Sequence, residues 1–253
     1  MLGYYSKLSS QVYDMDKYIG LSYGDVAFYR DRLASCTGNI LEPGVGTGRI
    51  LIPLLEKGLK VDGFDVSREM LEICRTNCKA RGLHPNLFEG KMESVALDKR
   101  YEAIIVPTGT FLLLHQREDS MKALKNFYHH LKSGGKLMLD IFLQTDFAIG
   151  QGTTRTWESE NGDMITLESK VVDVDYINQY TISHNRYEKW RNGVLVQTEL
   201  ERFPLRWYGV EEFKMILEQI GFEDIIISAD YTYGQYPTKS NQTITFEAVV
   251  RKG

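Results

Sequence analysis

"NILEPGVGTGRIL", residues 39–51, is an apolar run that ends on an acid and then sets a glycine at every second position, Gly44, Gly46 and Gly48. The apolar run reads as a buried strand, and "TGRILIPLLEKG" (47–58) reads as a helix stopped at Gly58. The pattern then repeats. "KVDGFDV" (60–66) is a second strand, and Ser67 caps a helix that Gly82 stops. "PNLFEGKM" (85–92), "YEAIIVPTG" (101–109) and "GKLMLDIF" (135–142) are further strands, with a helix over 118–135 before the last of them. Apolar strands alternating with helices of this length predict an α/β fold, a mostly parallel sheet covered on both faces.

From about residue 151 the texture changes to long alternating runs rich in Thr, Val and Tyr. Asn161-Gly162 and Asn192-Gly193 stand between these runs as hairpin turns. An antiparallel β meander is therefore expected over 151–205, inserted into a core formed by 1–150 and 206–253. After it, 209–222 returns to helix, and two final strands joined by about ten non-helical residues predict an antiparallel hairpin. Upstream, residues 24–35 read as an amphipathic helix.

Composition narrows the function. With 43% hydrophobic and 25% charged residues the chain is ordinary for a globular protein, and its formal charge of −4 gives no footing for nucleic acid or an anionic membrane. No apolar run approaches the roughly 20 residues that a membrane helix needs. The N-terminal stretch has neither a signal core nor an Arg-rich transit character, so a cytoplasmic protein is the default. Cys36, Cys74 and Cys78 are too few and too odd for a disulfide framework, and no His cluster completes a metal site with them.

The turn after the first strand of such a sheet lies at the carboxyl edge, where ligands bind. Glycines there let the backbone approach a ligand closely. Asp65 ends the second strand 21 residues after Gly44, the placement of an acid that accepts both hydroxyls of a ribose. The spacing is G-x-G-x-G, and Glu42 precedes it by two residues. A carboxylate there repels a pyrophosphate but suits a ligand carrying an ammonium and a sulfonium. S-adenosyl-L-methionine has both charges and a ribose.

Here the sequence resembles the class I S-adenosylmethionine-dependent methyltransferases, in particular the small-molecule branch with a β insertion. "ILEPGVGTGR" is similar to that family's first motif and "VDGFDVSREMLE" to its second; "LFEGKM", "YEAIIVPTGTFLLL" and "LKSGGKLMLDIF" follow in place. The resemblance covers about 38–142 and 205–253. It implies a doubly wound, seven-stranded Rossmann-like sheet with a C-terminal antiparallel hairpin. It implies that the Gly44–Gly48 backbone lies along the methionine part and ribose, that Glu42 orients the loop and the amino end, and that Asp65 holds the ribose. Val66 and Met70 would pack on the adenine, and Met92 would offer it a backbone amide. Where the family often has an acid before that position, this chain has Lys91, which leaves the adenine amino group to Glu93 or water. Pro107 and Thr108 would lie beside the transferred methyl. Arg49 reaches the cofactor carboxylate or pairs on the surface.

The N-terminus carries Tyr4, Tyr5, Tyr13 and Tyr18, and in the resembling family this segment folds over the cofactor, with a Tyr-Asp pair like Tyr13-Asp14 near the methionine end. Tyr13 is thus a candidate at the reacting centre; packing against the sheet edge is the alternative. Among the histidines, His115 follows the fourth strand at the rim where substrate enters and is the candidate base. His84, His129 and His130 read as surface, and His184 faces either pocket or solvent. Arg206, Trp207 and Tyr208 line the pocket or form a packed joint. Methyl transfer needs position more than acid–base chemistry, and a base only where the nucleophile must lose a proton. The expected reaction is in-line transfer to a nitrogen or oxygen of a small molecule. A non-catalytic cofactor-binding subunit is the alternative, and a dinucleotide oxidoreductase is disfavoured by the glycine spacing. The meander is expected to cover the acceptor pocket, to support a homodimer, and to leave the cofactor held by the core.

Overall fold

The computed structural model describes residues 5–145, 147–159 and 161–252. Tyr4 lies outside them. Seven strands form one sheet: β1 (Asn39–Pro43), β2 (Lys60–Asp65), β3 (Leu87–Glu89), β4 (Tyr101–Val106), β5 (Leu131–Phe142), β10 (Phe222–Ala229) and β11 (Thr243–Val250). Their order is β10-β11-β5-β4-β1-β2-β3. The first five pair in parallel, β11 runs antiparallel to β5, and β10 and β11 form the antiparallel hairpin read from the sequence. The remaining strands, β6 (Gly152–Glu158), β7 (Met164–Asp175), β8 (Tyr180–Arg191) and β9 (Val194–Arg206), make a separate four-stranded antiparallel meander in sequential order. Asn192 and Gly193 both have positive φ, 50° and 76°, which is the backbone a two-residue hairpin turn requires.

Helices α2 (Asp25–Leu33), α3 (Leu51–Glu56), α4 (Arg68–Lys79), α5 (Arg117–His130) and α6 (Val210–Ile220) flank the large sheet. One face buries Leu41, Ile104, Leu139 and Phe246 against α5 and α6, and the other buries Ile40, Val61, Ile105 and Met138 against α2, α3 and α4. Neighbouring residues of one strand thus go to opposite cores, which is why these strands are apolar throughout.

Several boundaries differ from the sequence reading. The helix expected over 47–58 begins only at Leu51, because Gly46 and Gly48 hold φ of +55° and +93° and keep the chain turning. The helix expected to run to 135 ends at His130, and β5 begins at Leu131. His130 is buried rather than on the surface: its Nδ1–H donates to the Asn126 carbonyl, while Nε2 accepts from Leu97 N–H at 3.1 Å. The third strand is three residues long, since only Leu87–Glu89 reach β2.

One helix has no counterpart in the sequence reading: α1 (Lys7–Asp16). It packs Leu8 and Val12 on Ile165 and Tyr187 of the meander. Among the described residues no helix is long and apolar enough to cross a membrane.

Candidate active site

The glycine turn is pinned to the neighbouring strand. Gly44 N–H and Val45 N–H both donate to the Phe64 carbonyl, at 2.8 and 3.0 Å. Gly46 N–H donates to one oxygen of Asp65 at 2.9 Å, and Ser67 N–H donates to the other at 2.9 Å. Burial raises the Asp65 pKa, and these backbone amides oppose the rise. Ser67 also caps α4, accepting from Met70 N–H, and donates its hydroxyl to the Tyr5 carbonyl. The acid at the tip of β2 therefore fixes the turn, the start of α4 and, through Ser67, the N-terminal segment.

Above this edge lies a cavity of about 520 Å³. Gly44 and Gly46 form its floor, Asp65, Val66 and Met70 one wall, and Met92 and His115 reach it from the far side. Lys91 and Glu93 flank Met92 there. A Cβ on Gly46 would point toward Tyr13, 3.7 Å from its ring. Gly48 does not line this cavity: a Cβ there would press on Cys74 Sγ at 3.0 Å and Ile52 at 3.1 Å, so its backbone is needed for packing under the turn.

Glu42 and Pro107 also lie outside the large cavity, in a small niche beneath it with Arg49 and Tyr13. Glu42 is buried, and its Oε2 has no hydrogen-bond partner among the described residues. Burial holds its pKa well above the usual carboxylate range; Arg49 opposes this, and Asp65 and Asp25 add to it. Arg49 is neither free nor on the surface. Its guanidinium pairs with the buried Asp25 carboxylate at 2.5 Å and donates to the Leu21 carbonyl at 3.1 Å. Asp25 has no role in the sequence reading; an acid three residues before the aromatic pair Phe28-Tyr29 in an otherwise amphipathic helix carries no signal of its own.

A second cavity of about 290 Å³ adjoins the first, and Tyr5, Tyr13, Thr110 and Leu113 border both. Its walls are aromatic: Tyr23, Phe142, Phe203 and Tyr231, with Lys17 and Arg49 as the cations. Tyr13 touches all three spaces, and burial raises its pKa, so the phenol keeps its proton. Thr108 also lines this cavity, in a left-handed backbone (φ 57°) rare for a β-branched residue. His115 does not reach it. The imidazole lies in the first cavity, edge-on to Tyr180 at 5.3 Å, and burial and Arg202 lower its pKa. The loop of Leu113–Gln116 lines the larger cavity, and its first residue, Leu113, borders the second as well. His184 is exposed. Arg206 and Tyr208 form a packed joint, with Arg206 donating to the His115 carbonyl at 2.9 Å and Tyr208 to Ser120 Oγ at 2.8 Å.

The meander reaches this site twice. Phe203 and Leu205 of β9 line the second cavity. Glu199 and Glu201 of the same strand grip the N-terminal segment: Glu199 accepts from Leu8 N–H and Ser6 Oγ, and Glu201 from Ser6 N–H and Ser9 Oγ. That segment supplies Tyr5 and Tyr13, so the insertion braces two residues that border the larger cavity.

A carboxyl-edge cavity with a glycine turn and a strand-end acid, beside a niche where a buried carboxyl has one oxygen without a hydrogen-bond partner among the described residues, suits a nucleoside carrying a cationic group, and S-adenosylmethionine fits that description. Residues 40–135 match the family model described as a methyltransferase domain. YqeM of Bacillus subtilis (strain 168), a methyltransferase by its name, is 27% identical over 214 residues, 83% of each chain. The glycine/sarcosine N-methyltransferase of Aphanothece halophytica is 29% identical over 205 residues, 78% of this chain and 71% of that one. The sugar N-methyltransferase KedS8 from Streptoalloteichus sp ATCC 53650 superposes with a TM-score of 0.75, covering 100% of this chain and 98% of that one at 18% identity, a likeness of fold. Residues 40–135 thus carry a methyltransferase domain, and the fold of the whole is that of S-adenosylmethionine-dependent methyltransferases. The chain is an S-adenosylmethionine-dependent enzyme.

Proposed function

We propose that the enzyme methylates a nitrogen or oxygen of a small molecule, with S-adenosylmethionine in the 520 Å³ cavity and the acceptor in the 290 Å³ cavity. The observation that carries this reading is the shared wall of Tyr5, Tyr13, Thr110 and Leu113, which leaves two compartments of unequal size meeting at one point. When bound, the cofactor supplies a methyl group on a sulfonium, which needs no further activation. The chain's part is to hold two reactants in line and keep water out. Asp65 would take the ribose hydroxyls, and Gly44 and Gly46 would let the backbone lie along the ligand. Val66 and Met70 would pack on the adenine, with Met92 beside it. Glu42 would turn its unpartnered oxygen to the ammonium. Arg49, already paired with Asp25, would orient the loop. Tyr13 and Pro107 would stand beside the methyl.

In this reading residues 1–150 and 206–253 form the cofactor-binding core, and 151–205 form a lid that also props the N-terminal helix. Small acceptors are favoured by the relatives that act on glycine, sarcosine and sugars. A cytoplasmic place of action goes with them. A homodimer would use the outer face of β9, where Val194, Val196 and Leu200 are exposed, and light scattering tests it. The central test is calorimetry with S-adenosylmethionine, S-adenosylhomocysteine and NAD, followed by methyl transfer to a pooled metabolite extract read by mass spectrometry. Binding of NAD in preference to S-adenosylhomocysteine would overturn the cofactor assignment. Binding without transfer to any metabolite in the pool would overturn the acceptor assignment.

A further inference from the structure

Asp140 is an acid inside the apolar run "KLMLDIF" (136–142) of β5, and it is fully buried. One oxygen accepts from Tyr29 Oη at 2.7 Å and Thr245 Oγ1 at 2.6 Å. The other accepts from Thr108 N–H at 2.8 Å and Tyr231 Oη at 3.0 Å. A carboxylate offers about four lone-pair positions. These four donors fill them, and a protonated carboxyl would bring a fifth hydrogen and turn one donor away.

Two of the four donors line the second cavity, Thr108 and Tyr231. Both have left-handed backbones, φ 57° and 59°, a conformation that persists only where surrounding bonds over-determine it. The Asp140 carboxylate supplies those bonds. It also fixes the polarity of Tyr231: a phenol has one hydrogen, that hydrogen is on Asp140, and what remains on the oxygen to be shared is a lone pair. The ring is held in place against Phe28, 5.7 Å between centroids.

We propose that Tyr231, oriented by Asp140, accepts a hydrogen bond from the N–H of the nucleophile, so that the cavity takes primary and secondary amines and rejects tertiary amines and alcohols. This rests on the reading of that cavity as the acceptor site. An alcohol must lose its proton to attack, yet no histidine or carboxylate is among the described residues lining the cavity. Tyr231 cannot take that proton while its own is held by a saturated carboxylate. A neutral amine needs no base beforehand, and Lys17 and Arg49 in the lining disfavour its protonated form. The nitrogen lone pair forms the new N–C bond as the methyl–sulfur bond breaks, its electron pair staying on sulfur. The resulting ammonium keeps its hydrogen toward Tyr231 and releases a proton to water once the product leaves. A tertiary amine has no N–H and leaves the Tyr231 oxygen without a partner.

The test uses the full chain with glycine, sarcosine and dimethylglycine, and with glucosamine and its N-methyl and N,N-dimethyl forms, each assayed for methyl transfer and titrated into the S-adenosylhomocysteine complex. Primary or secondary members should bind and turn over, with the tertiary members at least about tenfold weaker in both. Tyr231→Phe should lower kcat about tenfold, the scale of one hydrogen bond, with S-adenosylhomocysteine affinity within about twofold. Asp140→Asn should lose at least as much, because its NH₂ turns the Tyr231 hydrogen toward the cavity; Tyr231→Phe decides should that variant not fold. Wild-type kcat in Tyr231→Phe, or tertiary amines handled as well as secondary ones, would overturn the proposal. So would turnover of alcohols alone, or no transfer to any amine by a chain that binds S-adenosylhomocysteine; in both cases the cofactor site stands. Failure to bind S-adenosylhomocysteine would remove the underlying reading as well.

Discussion

Replacing Asp65 by alanine tests the site where its parts converge. The carboxylate accepts from Gly46 N–H and Ser67 N–H, each at 2.9 Å. Ser67 N–H is buried, and an unsatisfied buried donor costs about 1–3 kcal/mol. Gly46 N–H opens on the cavity, where water replaces the lost oxygen. The expected loss of stability is therefore about 1–3 kcal/mol, borne mostly by Ser67. With ligand present, the ribose hydroxyls lose a charged acceptor, and hydrogen bonds to charged groups contribute about 1.5–3 kcal/mol. That corresponds to roughly a 10- to 150-fold rise in the Kd for S-adenosylhomocysteine. Calorimetry at a temperature where the variant is folded measures this, with a thermal melt as control. Ser67→Ala is the matched comparison: it loses the cap to Met70 N–H, about 1 kcal/mol, and the bond to the Tyr5 carbonyl, but keeps the acid. Unchanged affinity in folded Asp65→Ala, or an equal loss in Ser67→Ala, would refute the ribose assignment and leave Asp65 as a brace for the turn.

Gly46→Val should abolish S-adenosylhomocysteine binding with only about 1–2 kcal/mol lost in stability, because φ is +55° and the new side chain fills the cavity beside Tyr13; a melt and a titration read both. Glu42→Gln should flatten the pH dependence of stability. The folded pKa of Glu42 is raised, so as pH rises from the ordinary carboxylate range through the raised value the folded chain holds a proton that the unfolded chain has released, and wild-type stability falls across that window. Melting curves across that range should therefore converge at low pH and separate above it, with the variant the more stable. Glu201→Ala should release α1 from the meander, speeding amide exchange at Leu8 and Ser10 and raising the dissociation rate of S-adenosylhomocysteine by about tenfold or more; an unchanged rate would separate the meander from the cofactor site.

The sheet was legible because its signals are local and redundant. Each strand of β1, β2, β4 and β5 is an apolar run bounded by glycine, proline or a cap, and the hairpin of β10 and β11 follows from a connection without helical period. The position of Asp65 was legible for the same reason, as a fixed offset from Gly44. What escaped were relations between distant segments. Helix α1 exists because Leu8 and Val12 find Ile165 and Tyr187 across the fold, a partnership no window around residue 12 records. His130 reads with His129 as a surface pair, yet its two ring nitrogens bridge Asn126 and Leu97. Asp140 did leave a mark, an acid in the middle of a buried strand, and such a residue must be accounted for by donors elsewhere in the chain.

Those donors come from many places, and two of them, Thr108 and Tyr231, also line the second cavity. Tyr29 comes from α2, Thr108 from the end of β4, Tyr231 from the loop after β10 and Thr245 from β11, all converging on one carboxylate of β5. The cavity wall opposite comes from β9, and the boundary with the larger cavity from the N-terminal segment. The glycine-turn side of the larger cavity, by contrast, depends on the two adjacent strand ends of β1 and β2 and the turn after β1. A site read from one contiguous stretch tolerates little change there, because Gly46 and Asp65 are each bonded to the other. A site assembled from separate loops can change one wall while Asp140 keeps the remaining donors in register. Substitutions at Phe203 and Leu205, which touch the cavity but not the Asp140 network, are therefore where acceptor choice should be most easily altered with the reacting geometry kept.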